Sequence, residues 1–377
     1  MKKVLFVMYN TLNAGGIQKV VMNIVESLSN DYVFDILCFK NGLGSLEEEF
    51  LMYGGKIIKV PVYYEGTSRI RGRMDFYLRG LKIYRTVLDT IKKQGPYDII
   101  HCHNSYESGI CLKAAKKMGV PIRIAHSHTN FSYNENIIRK LYETVYRCLI
   151  YRCSTHMIGC SAKSAESLFG KYRNKAIVIN NGVDTNNFDP RLYSEKRNTD
   201  GMIQLIQIAT FSENKNQTFT INVLDELIKR NVQAGLVFIG RYSDQESERY
   251  YHEMENLIYE KHLNECIQFL PSNTNVAQAL SESDALIFPS YEEGFAIVPL
   301  EAQAMQKKCY ISDTVTKEMD CGGCTFFSIK QGPVACAEMI IADIKTGKIN
   351  GVKCDMSRFK IDVIINQYRD LYRGILT

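Results

Sequence analysis

Short apolar runs alternate along this chain with longer amphipathic segments, and that alternation narrows the fold more than any other feature. Residues 4–8, 33–38, 56–60, 98–101, 122–126, 157–160 and 177–179 read as buried strands. Between them, Gly16–Leu28 and residues 74–93 carry apolar positions at helical spacing. Strand, helix, strand, repeated in this way, predicts a parallel sheet covered by helices on both faces. A dense turn cluster at 180–190 and the polar, aperiodic stretch 191–201 interrupt the series. A second series then begins, with strands predicted at 203–209, 235–239, 267–270, 285–288 and 309–311. The expected organisation is α/β: two doubly wound, Rossmann-like domains, 1–190 and 201–355, facing a ligand cleft, with 356–377 as a terminal helix.

Composition excludes several classes. At 377 residues and 45% hydrophobic content the chain has the size and make-up of two globular domains. No apolar run approaches the ~20 residues of a membrane span. The N-terminus is basic and then apolar, but the run ends at once in Tyr9 and Asn10, so a first strand is expected rather than a signal peptide. A cytoplasmic protein is implied, and the twelve scattered cysteines fit reduced, buried thiols. The pair Cys321 and Cys324 lacks further ligands at zinc-site spacing and reads as a loop. Residues 1–188 hold 26 basic against 15 acidic side chains, a net of +11, while 189–377 hold 20 against 26, a net of −6. The first half therefore faces something anionic. With no nucleic-acid module present, an anionic membrane surface fits better than nucleic acid. The basic, tyrosine-bearing stretch from Ile137 to Arg152 and the cluster Arg69, Arg71 and Arg73 read either as a membrane-facing surface or as solvated helix faces.

Four local patterns carry chemistry. Residues 289–301 run from a strand end through Glu293, Gly294 and Phe295 to a helix opening at Pro299, with Glu301 in its first turn. Free N–H groups at such a junction suit a phosphorylated ligand, and the two carboxylates can accept hydrogen bonds from sugar and ribose hydroxyls. Glu301 alone would also suit a helix N-terminus on electrostatic grounds. Gly15 and Gly16 sit between the first strand and first helix, where glycine permits positive φ and close backbone approach to a ligand. His101 and His103, then His126 and His128, each stand two apart at a predicted strand end and so share a face. A metal-dependent hydrolase, with Asp184 or Asp284 as further ligands, is one reading of them. Lys215 follows the first strand of the second series.

The Glu-x7-Glu pattern within P-S-x-x-E-G-F-x-x-x-P-L-E resembles the donor-site signature of family 4 retaining glycosyltransferases. Ala-His-Ser-His-Thr at 125–129, the Cys160-Ser161 strand end and the Asn-Gly-Val-Asp turn at 181–184 are similar to family patterns as well. The resemblance implies a GT-B fold whose C-terminal helix crosses back to the first domain. It implies transfer of a hexosyl or N-acetylhexosaminyl group from a nucleoside diphosphate sugar, UDP-sugar favoured, with retention and with no metal or other cofactor. A saccharide or polyprenyl-linked acceptor in exopolysaccharide, capsule or lipopolysaccharide assembly, on the inner face of the membrane, is implied too. By the same match His128 lies beside the reacting sugar, Glu293 contacts that sugar, Glu301 holds the ribose, and Lys215 with the N–H groups of Phe295, Ala296 and Ile297 binds the diphosphate. Gly15, Gly16 and Gly294 complete the donor site, and Leu270 and Pro271 occupy the base-binding segment. One departure stands out: Thr210 occupies the position where the family carries arginine, with Arg241 as a candidate replacement. That change leaves open a non-catalytic, sugar-nucleotide-binding partner subunit.

Overall fold

The computed structural model describes residues 1–13, 15–62, 69–129, 137–193, 201–242, 244–350 and 352–376, without the side chains of 69–78 and 137–139. The chain divides into two compact units, residues 1–181 with 362–377, and residues 182–361. The first contains β1 (Lys2–Met8), α1 (Gly16–Leu28), β2 (Tyr32–Cys38), α2 (Glu47–Met52), β3 (Lys56–Lys59), α3 (Arg69–Gln94) and β4 (Ile99–Cys102). It continues with α4 (Ser108–Lys117), β5 (Ile122–Ser127), α5 (Ile137–Cys153), β6 (His156–Gly159), α6 (Ala162–Phe169) and β7 (Ala176–Val178). Its sheet is wholly parallel in the order β3-β2-β1-β4-β5-β6-β7. The central strands are buried on both faces, as a sheet sandwiched by helices demands, with Val4, Leu5, Phe6 and Val7 all fully enclosed.

The second unit runs β8 (Ile203–Ile208), α7 (Gln217–Lys229), β9 (Ala234–Gly240), α8 (Gln245–Glu260), β10 (Ile267–Pro271), α9 (Val276–Ser281), β11 (Ala285–Phe288), α10 (Val298–Ala304), β12 (Lys308–Ser312), β13 (Cys324–Phe327) and α11 (Gly332–Lys345). Its parallel sheet is ordered β10-β9-β8-β11-β12-β13. In both sheets the strand order reverses beside the first strand, between β1 and β4 and between β8 and β11. These are the points where the chain winds away in two directions and ligands collect at the carboxyl ends of strands.

Most of the predicted linker lies outside the described residues, at 194–200. The turn at 181–184 instead marks where the chain leaves the first unit. Val183 pairs with Lys360 in an isolated parallel bridge, donating its N–H to Phe359 O (2.8 Å) and accepting from Ile361 N (2.9 Å). The outgoing and returning strands are therefore tied together. Beyond this point α12 (Ile361–Arg373) joins the first unit, burying Ile364, Ile365, Tyr368, Leu371 and Tyr372. Strand β13, which begins at Cys324, and helix α2 were not anticipated: both are short and flanked by turn residues. All twelve cysteines are free thiols.

Because Leu371 is fully enclosed, Leu371→Ala should cost about 2–5 kcal/mol of stability. Thermal unfolding followed by circular dichroism should show a clearly lower midpoint, and an unchanged midpoint would mean that α12 is not part of the core.

Candidate active site

In the second unit, two loops 78 residues apart in sequence are locked together at the strand-order reversal. The segment after β8 tightens into a 3-10 turn, Glu213–Lys215, and Asn216 takes a left-handed conformation (φ 55°) that starts α7. Asn214 then bonds the loop that follows β11: its carbonyl accepts from Tyr291 N (2.9 Å), its Oδ1 from Glu292 N (3.0 Å), and its Nδ2 donates to Glu292 O (3.0 Å). Asn216 Nδ2 adds a bond to Pro289 O (3.3 Å). From beneath, Gln207 Nε2 donates to Lys215 O (2.8 Å) while Thr220 Oγ1 donates to Gln207 Oε1 (2.6 Å). Gln207 and Thr220 are buried, so the amide has no water to compete for it.

This staple brings Lys215 and Glu293 into an ion pair. The ammonium also stands 5.7 Å from the centre of the Phe288 ring, a cation–π contact. Both partners keep some solvent access, which leaves them reachable by a ligand. Glu301 sits in the first turn of α10 and is only 3% exposed. Gly294, Phe295, Ala296 and Ile297, between the two glutamates, are buried. Leu270 and Pro271 end the edge strand β10, two strands from β8, with Leu270 half-buried and Pro271 exposed. Thr210 is exposed at the end of β8. Arg241 follows the neighbouring β9, and its carbonyl accepts from Phe211 N at 3.0 Å.

In the first unit the two His-x-His pairs form a two-by-two array. Parallel register sets His101 opposite Ile124 and Cys102 opposite Ala125, so the imidazoles of adjacent strands meet diagonally. His101 Nε2 lies 3.2 Å from His126 Nδ1, and His103 Nδ1 lies 2.7 Å from His128 Nε2. The two bonded pairs lie against each other: His101 stacks on His103 at 4.4 Å between centroids, and His126 is tilted against His128 at 3.9 Å. From α12, Tyr372 Oη bonds His101 Nδ1 at 2.9 Å, and Tyr368 packs beside His101 and His126. Burial, with mutual repulsion between the rings, pushes His101, His103 and His126 well below the usual imidazole range. His128 keeps partial exposure at the end of β5, yet desolvation of its ring takes it down to about 3. All four are neutral at pH 7.

Ring nitrogens of His101, His103 and His126 fall within 4.8 Å of one another, the arrangement closest to a metal site among the described residues. Yet His101 Nε2 and His126 Nδ1 face each other, so a shared ion would need at least one ring to turn. The carboxylates that a metal hydrolase would add are bonded locally. Asp284 accepts from Gln204 N (2.7 Å) at the start of its strand, and Asp184 caps its own turn through Asn186 N (2.9 Å).

Two expectations need correction. Gly15 has extended backbone (φ −164°), and neither it nor Gly16 has positive φ. A Cβ on Gly15 would meet only the tip of Gln18, and one on Gly16 would meet open space. Backbone freedom is therefore not why glycine stands there. Nor do the tyrosines of α5 share an exposed basic face: Tyr142 and Tyr146 pack against the core. Arg147 turns inward to Ser167 O (2.8 Å) and Leu168 O (3.1 Å). Asn214, Gln207 and Tyr372 went unrecognised as site residues. Only the adjacency of Asn214 to Lys215 could have hinted at the first.

Two doubly wound parallel sheets in one chain define the GT-B glycosyltransferase architecture. HepE from Anabaena, solved in complex with UDP, shares it with a TM-score of 0.77 and 14% identity over 99% of this chain and 100% of that one. The chain belongs to the family 4 glycosyltransferases: residues 14–187 match the model Glycosyltransferase Family 4, and residues 191–318 match Glycosyl transferases group 1. EpsF of Bacillus subtilis (strain 168), which bears a glycosyltransferase name, is 29% identical over 85% of this chain and 82% of its own length. An Escherichia coli UDP-Gal:alpha-D-GlcNAc-diphosphoundecaprenol alpha-1,3-galactosyltransferase is 24% identical over 79% of this chain and 76% of its own.

The buried histidines make the first unit sensitive to acid. Unfolded imidazoles bind protons below about pH 6.5, whereas these folded ones do not until far lower pH. Their contribution to stability is complete above pH 6.5. It falls as pH drops toward the folded values, by about 1.4 kcal/mol per pH unit for each histidine that stays neutral. Urea unfolding monitored by tyrosine near-ultraviolet dichroism should show a much lower midpoint at pH 5.5 than at pH 7. Equal midpoints would contradict neutral burial of the array.

Proposed function

We propose that this glycosyltransferase moves a hexosyl or N-acetylhexosaminyl group from a UDP-sugar to a saccharide carried on a polyprenyl diphosphate, with retention and without a metal, in cell-surface polysaccharide assembly. The observation that carries the reading is the Lys215–Glu293 pair, fixed by Asn214 at the strand-order reversal with Glu301 buried in the helix that follows. HepE in complex with UDP supports a uridine donor. The E. coli relative's diphosphoundecaprenol acceptor supports a lipid-linked one.

In this reading Glu301 accepts from the ribose hydroxyls, the N–H groups of Phe295, Ala296 and Ile297 face the diphosphate, and His128 lies beside the sugar. Gly15 and Gly16 leave room for close approach of the donor. Donor entry exchanges the resting ion pair: Lys215 turns to the diphosphate and Glu293 to the sugar hydroxyls. The bond between the anomeric carbon and the β-phosphate oxygen breaks, and its electron pair passes to the phosphate. The acceptor hydroxyl bonds the same face of that carbon and gives its proton to the departing phosphate oxygen. A cation that strengthens its contact as charge develops on the leaving group lowers the barrier. Arg241 stands in for the arginine that Thr210 replaces. The basic first half, with Lys140, Leu141 and Val145 exposed on α5, supports docking on an anionic membrane surface where a lipid-linked acceptor resides.

Incubating the protein with UDP-sugars and a short-chain polyprenyl diphosphate saccharide, with and without EDTA, tests the reading. An α-linked product from an α-linked donor, formed equally well with chelator, is expected by proton NMR. An inverted linkage, or activity lost with EDTA and restored by added metal, would contradict it. Donor binding without turnover would favour the non-catalytic subunit.

The resting ion pair yields a prediction of opposite signs. Glu293→Gln frees Lys215 for phosphate while removing a sugar contact made in the transition state. UDP should bind several-fold tighter by calorimetry, while turnover falls about 100-fold or more. Parallel weakening of both would show that the pair does not compete with the diphosphate.

A further inference from the structure

We propose that His103 is a positioning residue for His128, holding that ring by a hydrogen bond in which His103 Nδ1–H donates to His128 Nε2, so that the proton His128 can offer a ligand lies on Nδ1. The inference deepens the reading above, in which His128 lies beside the reacting sugar.

The geometry points to this in three ways. The nitrogen separation of 2.7 Å is the shortest of the array, and the rings are inclined by only 22°. Both lone-pair axes are in the ring planes, so near-parallel rings joined at that distance form one hydrogen bond with little freedom to twist. His103 is itself immobilised, 5% exposed and enclosed by His101 stacked at 4.4 Å and Phe6 at 5.5 Å. His128, by contrast, keeps partial exposure at the end of β5, where a ligand can reach it. The fixed ring therefore orients the accessible one.

The direction of the bond follows from what lies behind it. His103 Nε2 is buried and has no hydrogen-bond partner among the described residues. If His128 were the donor, neutral His103 would carry its proton on Nε2, an enclosed N–H with no acceptor. Orphaned buried N–H groups are rarer than bare acceptors. With the proton on His103 Nδ1, only a lone pair is left bare, and His128, receiving at Nε2, must be protonated on Nδ1. The pair works without charge, as a donor and acceptor in fixed order.

The test reads the tautomer directly. Protein carrying 15N-histidine is examined by long-range proton–nitrogen correlation NMR at pH 7, with the His128 resonances assigned through His128→Gln. His128 should appear with Nδ1 protonated and Nε2 bare. His103→Leu should scramble His128 between tautomers. His103→Asn, whose amide can place a donor near the lost Nδ1, should restore the single form and covers the case in which the leucine variant fails to fold. With UDP-sugar, His103→Leu should lower kcat about tenfold, one net hydrogen bond's worth, at similar donor KM, and His103→Asn should recover most of it. An Nε2-protonated His128 in the wild type, or a His128 spectrum indifferent to His103→Leu, would overturn the proposal. So would a kcat that follows loss of fold in both variants alike. If the wild-type protein turns over no UDP-sugar, the functional reading fails, while the spectra still decide the His103–His128 bond.

Discussion

A parallel sheet whose strand order reverses has one place where neighbouring strands send their chains away in opposite directions, and both candidate sites of this protein are arranged around that constraint. Crossovers in such sheets are right-handed almost without exception. The loops after the two central strands therefore diverge, and a crevice opens at their carboxyl ends. This chain has two such places. At one, the loops after β8 and β11 hold Lys215 and Glu293; next to the other, which falls between β1 and β4, the ends of β4 and β5 hold four histidines. Topology chooses the locations, and only then does side-chain chemistry matter.

The two sites are held by different physics. The Lys215–Glu293 site is fastened by polar bonds from one asparagine side chain and backbone, braced by the buried Gln207 amide. Such a site can exchange partners, because each charge keeps some access to solvent. The histidine array is held by enclosure: closely packed neutral rings, capped by tyrosines of α12. Burial keeps those rings uncharged, so what they can offer a ligand is orientation and hydrogen bonding rather than proton storage. It also makes the first unit acid-sensitive.

Much of this was legible in the sequence because parallel strands announce themselves as apolar runs between helical periods. Ala285–Phe288 was anticipated to the residue, as was Gly16–Leu28. Glu293, Glu301, Lys215 and His128 could be singled out because each follows a strand within a recognisable pattern. Short β13 and α2 escaped, being too brief to show a period. The Asn214 staple escaped for another reason: it joins segments 78 residues apart, and nothing in one segment marks its partner. The glycines at 15 and 16 stand between strand and helix as expected, but without the positive φ expected of them, since their backbone is extended or helical. The α5 tyrosines show the reverse failure, a basic and aromatic stretch whose aromatic side turned inward to the core.

In the proposed function, the second unit's strand-order reversal is a nucleotide site built on Lys215 and Glu301. Titrating UDP, GDP and ADP into the protein by calorimetry, with Glu301→Ala alongside, tests it most directly. Saturable, one-to-one binding of UDP in preference to the other two is expected, weakened at least tenfold in the variant by loss of hydrogen bonds to a charged acceptor. Absence of binding by all three nucleotides, or UDP binding indifferent to Glu301→Ala, would contradict it.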